Sequence, residues 1–211
     1  MTYYSQIGQD KWVNSILSEK KNGYFIELGA CDGLCYSNTL YFEKNLNWNG
    51  ICIEPNDNYF EDLNINRKCH ISNDLVYSYE GEVLDFSLCD TASGIIDENI
   101  GPFTQKNNVV KKTTTTLTKI LDKFDAPNII DYLSLDVEGQ EYNILKTFSF
   151  DKYKFRCITV EHNEPHVGSK PKILIRDLLE NKGYKFVKGN DDVLNWKHGP
   201  IDDFYVFPEL I

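Results

Sequence analysis

Two apolar runs in this chain each end at an acid or a glycine turn. Residues 24–33 read Tyr-Phe-Ile-Glu-Leu-Gly-Ala-Cys-Asp-Gly, and residues 50–55 read Gly-Ile-Cys-Ile-Glu-Pro. Parallel sheets build nucleoside pockets in this way, at the carboxyl ends of two neighbouring strands. Gly29 and Gly33 let backbone approach a ligand that a side chain would block. Glu54 follows Gly29 by 54 − 29 = 25 positions, near the roughly 20-residue offset at which an acid meets ribose hydroxyls. The turn departs from the dinucleotide pattern Gly-x-Gly-x-x-Gly, because Gly29 is followed by Ala30, Cys31, Asp32 and Gly33. That spacing, with Glu27, suits a ligand carrying an adenosine and no pyrophosphate. S-adenosylmethionine is such a ligand.

Roles on the cofactor side follow from position. Backbone amides of a turn that leads into a helix suit a carboxylate, so Glu27, Gly29, Ala30 and Gly33 are expected to line the methionine end. Ser37, Asn38 and Thr39 open the next helix. They either cap it only, or cap it and also add donors to the cofactor. Glu54 is the expected ribose acid, with Pro55 closing its strand. Asn73 or Asp74, just past the third strand, is placed to meet the adenine amine or else is a turn residue.

Methyl transfer to oxygen needs the acceptor held in line with the methyl group, and a general base adds rate. Asp136 ends the fourth sheet strand and Glu161-His162 ends the fifth. In a doubly wound sheet those ends are neighbours beside the crevice where the strand order reverses, and Glu138 sits on the same loop as Asp136. Three carboxylates and an imidazole can therefore converge, and their repulsion would raise at least one pKa toward the working range. Asp136 is read as a base or positioning group that also touches the cofactor, or as a cap on the helix that starts near Gly139. His162 is read as a base or as a histidine bonded to a backbone carbonyl. Asp136, Glu161 and His162 are also acceptable ligands for Mg²⁺ or Mn²⁺. The sequence leaves such an ion open, and no residue is assigned to one.

These residues need a scaffold. Helical spacing covers residues 9–21, and residues 24–28 form a short buried strand. Residues 37–46 are a helix, 51–54 a strand, 59–67 a second helix and 68–72 a third strand. That alternation indicates crossover units and a parallel sheet. Residues 75–79 and 83–88 flank Glu80-Gly81-Glu82 and read as a hairpin. Residues 93–108 read as a loop long enough to cover a substrate. Residues 111–116 are β-branched and read as a strand, and 117–124 as a short helix. Alternation resumes with a strand at 129–135, a helix at 139–148, a strand at 155–160 and a helix at 173–181 capped by Gly183. Strands at 184–187 and 204–207 close the chain. No repeat or linker interrupts it, so one domain over residues 1–211 is expected.

The net charge is −10, from 32 acidic and 22 basic residues. A polyanion needs phosphate-neutralising charge, so a nucleic-acid substrate is not expected, and a neutral, cationic or small acceptor is. Simple solubility also accounts for the acidity. The six cysteines lie mostly within apolar runs without metal-site spacing; they read as reduced and buried, in a cytosolic-type compartment. No signal peptide is read at the start, and no run reaches the ~18 apolar residues of a membrane span.

In order along the chain, the blocks at residues 5–10 (Ser-Gln-Ile-Gly-Gln-Asp), 23–33, 37–39, 48–55, 131–139 (Asp-Tyr-Leu-Ser-Leu-Asp-Val-Glu-Gly) and 158–163 (Ile-Thr-Val-Glu-His-Asn) resemble the FkbM family of S-adenosylmethionine-dependent methyltransferases. Asp-Asp-Phe-Tyr at 202–205 is similar to that family's closing strand. The resemblance covers nearly the whole chain. It implies a doubly wound, mostly parallel seven-stranded α/β sheet of the Rossmann-like class I methyltransferase type, here with the inserted hairpin and loop. It also implies that the segment holding Gln6 and Gln9 folds over the cofactor; the alternative is an N-terminal helix cap. Family acceptors are mostly sugars and other small hydroxyl- or amino-bearing metabolites.

The expectation is an O-methyltransferase acting on a sugar hydroxyl of a glycan or glycoside, with a deoxyhexose of the rhamnose or fucose type as the narrower form. The chain stands alone or forms one domain of a larger glycan-assembly polypeptide. An N-methyltransferase on a small amine would share the cofactor half, and a binding module without turnover would share the fold. A nicotinamide-dependent oxidoreductase is disfavoured by the missing third glycine and by the lack of a Tyr-x-x-x-Lys pair in a crossover helix. Tyr3, Tyr4, Phe103, Trp196 and His198 either stack on a sugar face or serve as surface or core residues. His70 and His166 read as structural or exposed.

Overall fold

The computed structural model describes residues 2–97, 108–190 and 201–211. The first part of the chain runs α1 (Gln9–Ile16), β1 (Tyr24–Leu28), α2 (Leu40–Leu46), β2 (Asn49–Ile53), α3 (Asp57–Asn66) and β3 (His70–Ser72). Four short strands follow: β4 (Leu75–Val76), β5 (Val83–Ser87), β6 (Gly94–Ile95) and β7 (Val109–Thr115). The remainder is α4 (Leu117–Lys123), β8 (Ile129–Leu135), α5 (Glu141–Thr147), β9 (Lys154–Glu161), α6 (Glu164–Val167), α7 (Lys170–Asn181), β10 (Lys185–Gly189) and β11 (Asp202–Val206).

Seven strands form the main sheet in the order β10-β11-β9-β8-β1-β2-β3. All neighbours are parallel except β11, which runs antiparallel to both β9 and β10. The chain fills β2 and β3 on one side of β1, then β8 and β9 on the other. The order thus reverses between β1 and β8, and their carboxyl ends open the crevice. Strand alternation divides the residues between two cores. Ile26 and Leu28 pack with Leu117, Ile144 and Ile175 on one face. Phe25, Cys52 and Tyr132 pack with Val13, Phe42 and Leu63 on the other. Strands covered on both faces read as continuous apolar runs, which is why β1, β2 and β8 are legible in the sequence. Glu27 is the exception within its run, and alternation turns it toward α2 and α3.

The expected hairpin does not form. The second sheet has the order β4-β7-β5-β6, with β7 lying between the two strands that local sequence would pair. β4 runs parallel to β7, and β5 runs antiparallel to it. The turn glycine, Gly81, instead donates its N–H to the carbonyl of Thr114. The first helix is also shorter than its pattern, because Ser18 and Glu19 adopt left-handed backbone (φ 50° and 57°). Among the described residues, no helix is long and apolar enough to cross a membrane. Most of the expected covering loop, together with Phe103, Trp196 and His198, lies outside the described residues. Tyr3 packs on Tyr41 with the rings tilted and their centroids 4.5 Å apart, and Tyr4 packs against the same core.

Candidate active site

A cavity of about 260 Å³ occupies the crevice. It receives Gln6, Gln9, Gly29, Ala30, Glu54 and Pro55 from the expected cofactor set, along with Glu27, Ser37, Asn38 and Asp136. Glu161 also lines it. Gly33, Thr39, Asn73 and His162 do not, and each has a local reason.

Glu27 and the segment after β1 form a closed network. The Glu27 carboxylate accepts from Ser37 Oγ (3.0 Å), the Asn38 N–H (2.6 Å), Thr39 Oγ1 (2.7 Å) and Arg67 Nη1 (3.1 Å). Arg67, 4% exposed, also donates to Glu43 and Thr39. Glu27 therefore pins residues 37–39 to α3 and has little capacity left for a ligand. Thr39, at 0% exposure, lies behind the cavity.

The turn amides are likewise spent. Gly29 and Ala30 both donate to the Ile53 carbonyl, Gly33 donates to Ala30, and Leu34 and Cys35 donate to Asp32 Oδ1. The expected amide cradle for a carboxylate is thus not formed by Gly29, Ala30 and Gly33. The two glycines answer to packing. A Cβ on Gly29 (φ +78°) would lie 2.0 Å from the Asp136 carbonyl oxygen, and one on Gly33 (φ +78°) would lie 2.6 Å from Arg67 Cγ. Gly29 lets the β1 and β8 turns touch, and Gly33 lets the loop close over Arg67.

Glu54 ends β2 at 4% exposure and accepts from the Cys31 N–H (2.9 Å) and the Asn56 N–H (2.7 Å), one on each oxygen. This clamp fixes the carboxylate and leaves each oxygen a lone pair for a hydroxyl. Burial pushes its pKa up to about 7 against the pull of those amides. Asn73 turns away, donating to the Glu54 carbonyl and accepting from Lys112 Nζ. Its neighbour Asp74 lines the cavity, beside an apolar wall of Leu75, Val76, Phe86 and Ile95 supplied by the second sheet. That wall fits an adenine ring. The observed donor and acceptor set, an apolar slot ending in Asp74 followed by a clamped Glu54, fits the adenosine half of S-adenosylmethionine.

At the other end of the cavity stand Asp136, Glu138, Glu161 and Asp202. Carboxylate oxygens of the first three lie within 4.8 Å of one another. Asp202 is the register partner of Glu161 across β9 and β11, so both point to one side. Asp202 accepts from Gln9 Nε2 (2.9 Å) and Glu161 accepts from Asn163 Nδ2 (2.6 Å). None of the four forms an ion pair among the described residues. Burial is the largest cause that raises the pKa values of Asp136, Glu138 and Glu161, and mutual repulsion adds to it for Glu138 and Glu161. Three hard oxygen donors so placed could hold Mg²⁺ or Mn²⁺. Asn38 Oδ1 and Gln140 Nε2, on residues that line the cavity, are buried atoms without a hydrogen-bond partner among the described residues.

His162 is one residue further along, so it points to the opposite side. Its Nδ1 accepts from the Glu164 N–H (3.1 Å), and its Nε2 stands 3.6 Å from Asp203 Oδ1, behind the cavity wall. It is not placed to act as the base. His166, read from sequence as structural or exposed, is exposed in α6 and also lines the cavity.

Burial and neighbouring acids push Asp202 and Glu141 up to about 7 as well. A carboxyl that binds its proton more tightly folded than unfolded stabilises the fold at low pH, and that contribution is lost as pH climbs through the folded value. The melting temperature of the unliganded protein is therefore expected to fall between about pH 5 and pH 8, and Asp202→Asn should flatten the slope. A pH-resolved thermal melt that rises over this interval would contradict the burial assignment.

The family model described as the methyltransferase FkbM domain matches residues 27–186. The chain belongs to the FkbM methyltransferase family. It is an S-adenosylmethionine-dependent methyltransferase of the class I α/β fold. The family match begins at Glu27, after the segment that carries Gln6 and Gln9. Several solved methyltransferases share the fold with this FkbM-family enzyme. A putative rRNA-methylase from Clostridium thermocellum is 12% identical at TM-score 0.51, with coverage of 98% of this chain and 97% of that one. A human methyltransferase 10 domain containing protein is 10% identical at TM-score 0.52, with coverage of 98% and 85%. The METTL16 MTase domain is 13% identical at TM-score 0.52, with coverage of 93% and 65%. No curated protein matches the chain at a significant level.

Proposed function

We propose that this enzyme transfers a methyl group to a hydroxyl of a sugar, in a glycan or glycoside, with Asp136 as the general base. The observation that carries the reading is the carboxylate cluster at the ends of β8, β9 and β11, facing a cavity that no lysine or arginine lines among the described residues. When bound, S-adenosylmethionine supplies the methyl group from its sulfonium. Glu54 would hold the ribose hydroxyls, and Asp74 with the apolar wall would hold the adenine. Asp136 would accept the proton of the attacking hydroxyl. Its raised pKa brings it closer to the acceptor's, which makes it a better base near neutral pH than an ordinary carboxylate. Glu138 and Glu161 would accept hydrogen bonds from neighbouring hydroxyls, and Gln140 Nε2 would donate one. A divalent ion, if used, would be held by Asp136, Glu138 and Glu161.

A small amine acceptor is the second reading, favoured by the same acidity. The rRNA methylation named for one structural neighbour finds no support in this cavity, where no lysine or arginine stands ready for phosphate among the described residues. The test is transfer from methyl-labelled S-adenosylmethionine to parallel panels of glycosides and amines, with products assigned by NMR. O-methyl ethers on glycosides are expected. Label found solely as N-methyl groups would overturn the sugar assignment.

A further inference from the structure

The cavity is built from two sheets. Glu54 and Pro55 come from the end of β2 in the main sheet, while Phe86 and Ile95, register partners across β5 and β6, come from the second. Among the described residues no strand pairs across the two sheets, so side chains must fix one against the other. Asn56, 1% exposed, spans the gap from outside the lining. Its backbone N–H donates to Glu54 Oε1 (2.7 Å), its Oδ1 accepts from the Asn58 N–H (2.9 Å) at the start of α3, and its Nδ2 donates to Ser93 Oγ (2.9 Å). Ser93 directly precedes β6 and lines the cavity with Asp90, Thr91 and Ala92. Resting on the placement of the ribose at Glu54 and the adenine on the apolar wall, we infer that Asn56 is a positioning residue for the cofactor. By fastening Ser93 it holds the adenine wall in register with the ribose acid, and so sets the affinity for the adenosine half.

A serine hydroxyl has one donor and two acceptor positions, and Ser93 uses all three. It donates to the Asp90 carbonyl (2.7 Å) and accepts from the Cys89 N–H (2.9 Å) as well as from Asn56. The hydroxyl thus closes the single turn at 89–93 on itself and ties that turn to the end of β2. Asp90, within the turn, holds left-handed backbone at φ 44°, a conformation that persists only where its surroundings over-determine it. The Asn56 end of the link is buried, where water does not readily replace a lost partner. An adenosine seated between Glu54 and Ile95 needs both at once. With the link cut, the wall can shift relative to Glu54, and binding must then order it again, which lowers affinity. Lys112 of β7 makes a further tie between the sheets, through Asn73 Oδ1 (3.3 Å) and Asp57 (2.8 Å). Cutting the Asn56 link therefore loosens the wall without parting the sheets.

The test is a double-mutant cycle on Asn56→Ser and Ser93→Ala. It is read by calorimetric titration of S-adenosylhomocysteine and of 5′-methylthioadenosine, which lacks the amino-acid end. Serine at 56 keeps the cap on α3 and the backbone bond to Glu54, and is too short to reach Ser93. Denaturant melts establish that each variant is folded during titration. Each single substitution is expected to weaken both ligands by about 3- to 10-fold, the worth of one neutral hydrogen bond, and the double by no more than either single. Ser93→Thr, which keeps the hydroxyl on extended backbone (φ −73°, ψ 131°), is expected to bind as the wild type does. A general loss of stability would lower the melting midpoint and leave the affinity of the folded protein unchanged. Wild-type affinity in both singles, or losses that multiply in the double, would overturn the inference. Should Asn56→Ser fail to fold, Ser93→Ala binding as tightly as Ser93→Thr would overturn it. Glu54→Ala separates the inference from the placement beneath it. Weaker binding in Glu54→Ala with wild-type affinity in the cycle variants sinks the inference alone. Wild-type affinity in Glu54→Ala removes the placement, and the inference with it.

Discussion

Asp136→Asn is expected to lower methyl transfer by about 10²–10⁴-fold, the usual worth of a positioned general base, while S-adenosylhomocysteine affinity changes much less. The substitution keeps the side chain's shape at the end of β8 and removes its capacity to take a proton. A second readout separates this from damage to the fold. Asp136 sits beside Glu138 and Glu161; burial, with the Glu27 charge, raises its pKa against a hydrogen bond with Glu161, and its own charge raises the pKa values of Glu138 and Glu161. Removing one carboxylate from such a cluster relieves repulsion, so the variant should melt at a higher temperature at pH 8. Activity sites often hold stability back in this way. An inactive and less stable variant would point to a structural role instead. A variant as active as the wild type would remove Asp136 as the base.

Arg67→Met is expected to destabilise the protein by about 3–5 kcal/mol, because it leaves a buried carboxylate without its partner. Glu27, at 3% exposure, would keep the hydroxyls of Ser37 and Thr39 but lose its cation. The segment from Gly29 to Thr39 is held between β1 and α3 by this network, so cofactor affinity should fall with stability. Adding Glu27→Gln to Arg67→Met should recover part of the loss, and denaturant melts of both singles and the double would measure the coupling. Additive losses would show that the two side chains act independently.

Much of this arrangement can be read from the sequence, for reasons that differ by residue. Glu54, Asp136 and Glu161 each end an apolar run, and a parallel sheet places the ends of such runs at one edge. The second sheet is different. Residues 75–88 satisfy the local rules for a hairpin, but β4 and β5 both pair with β7, whose first residue comes 109 − 87 = 22 positions after β5 ends. Nothing local encodes that pairing. Gly29 was expected to admit a ligand, whereas it admits the Asp136 carbonyl; the sequence marks a tight backbone approach without naming what approaches. Arg67 left a signal that could have been used. It continues the Tyr59–Leu63 stripe one turn past Leu63, and an arginine on an apolar stripe implies a buried acid to meet it. His162 could also have been set aside on strand alternation alone. If Glu161 faces the crevice, its neighbour faces away.

Where the cofactor's ribose is held decides how its methyl group is presented. Calorimetric titration of S-adenosylhomocysteine into wild-type protein and Glu54→Ala, with thermal melts confirming that both are folded, tests it. Hydrogen bonds to a charged group are worth about 1.5–3 kcal/mol, so the variant should bind at least about 10-fold more weakly. Equal affinity in the two proteins would contradict the placement of the ribose on Glu54, and with it the orientation that brings the methyl group to Asp136.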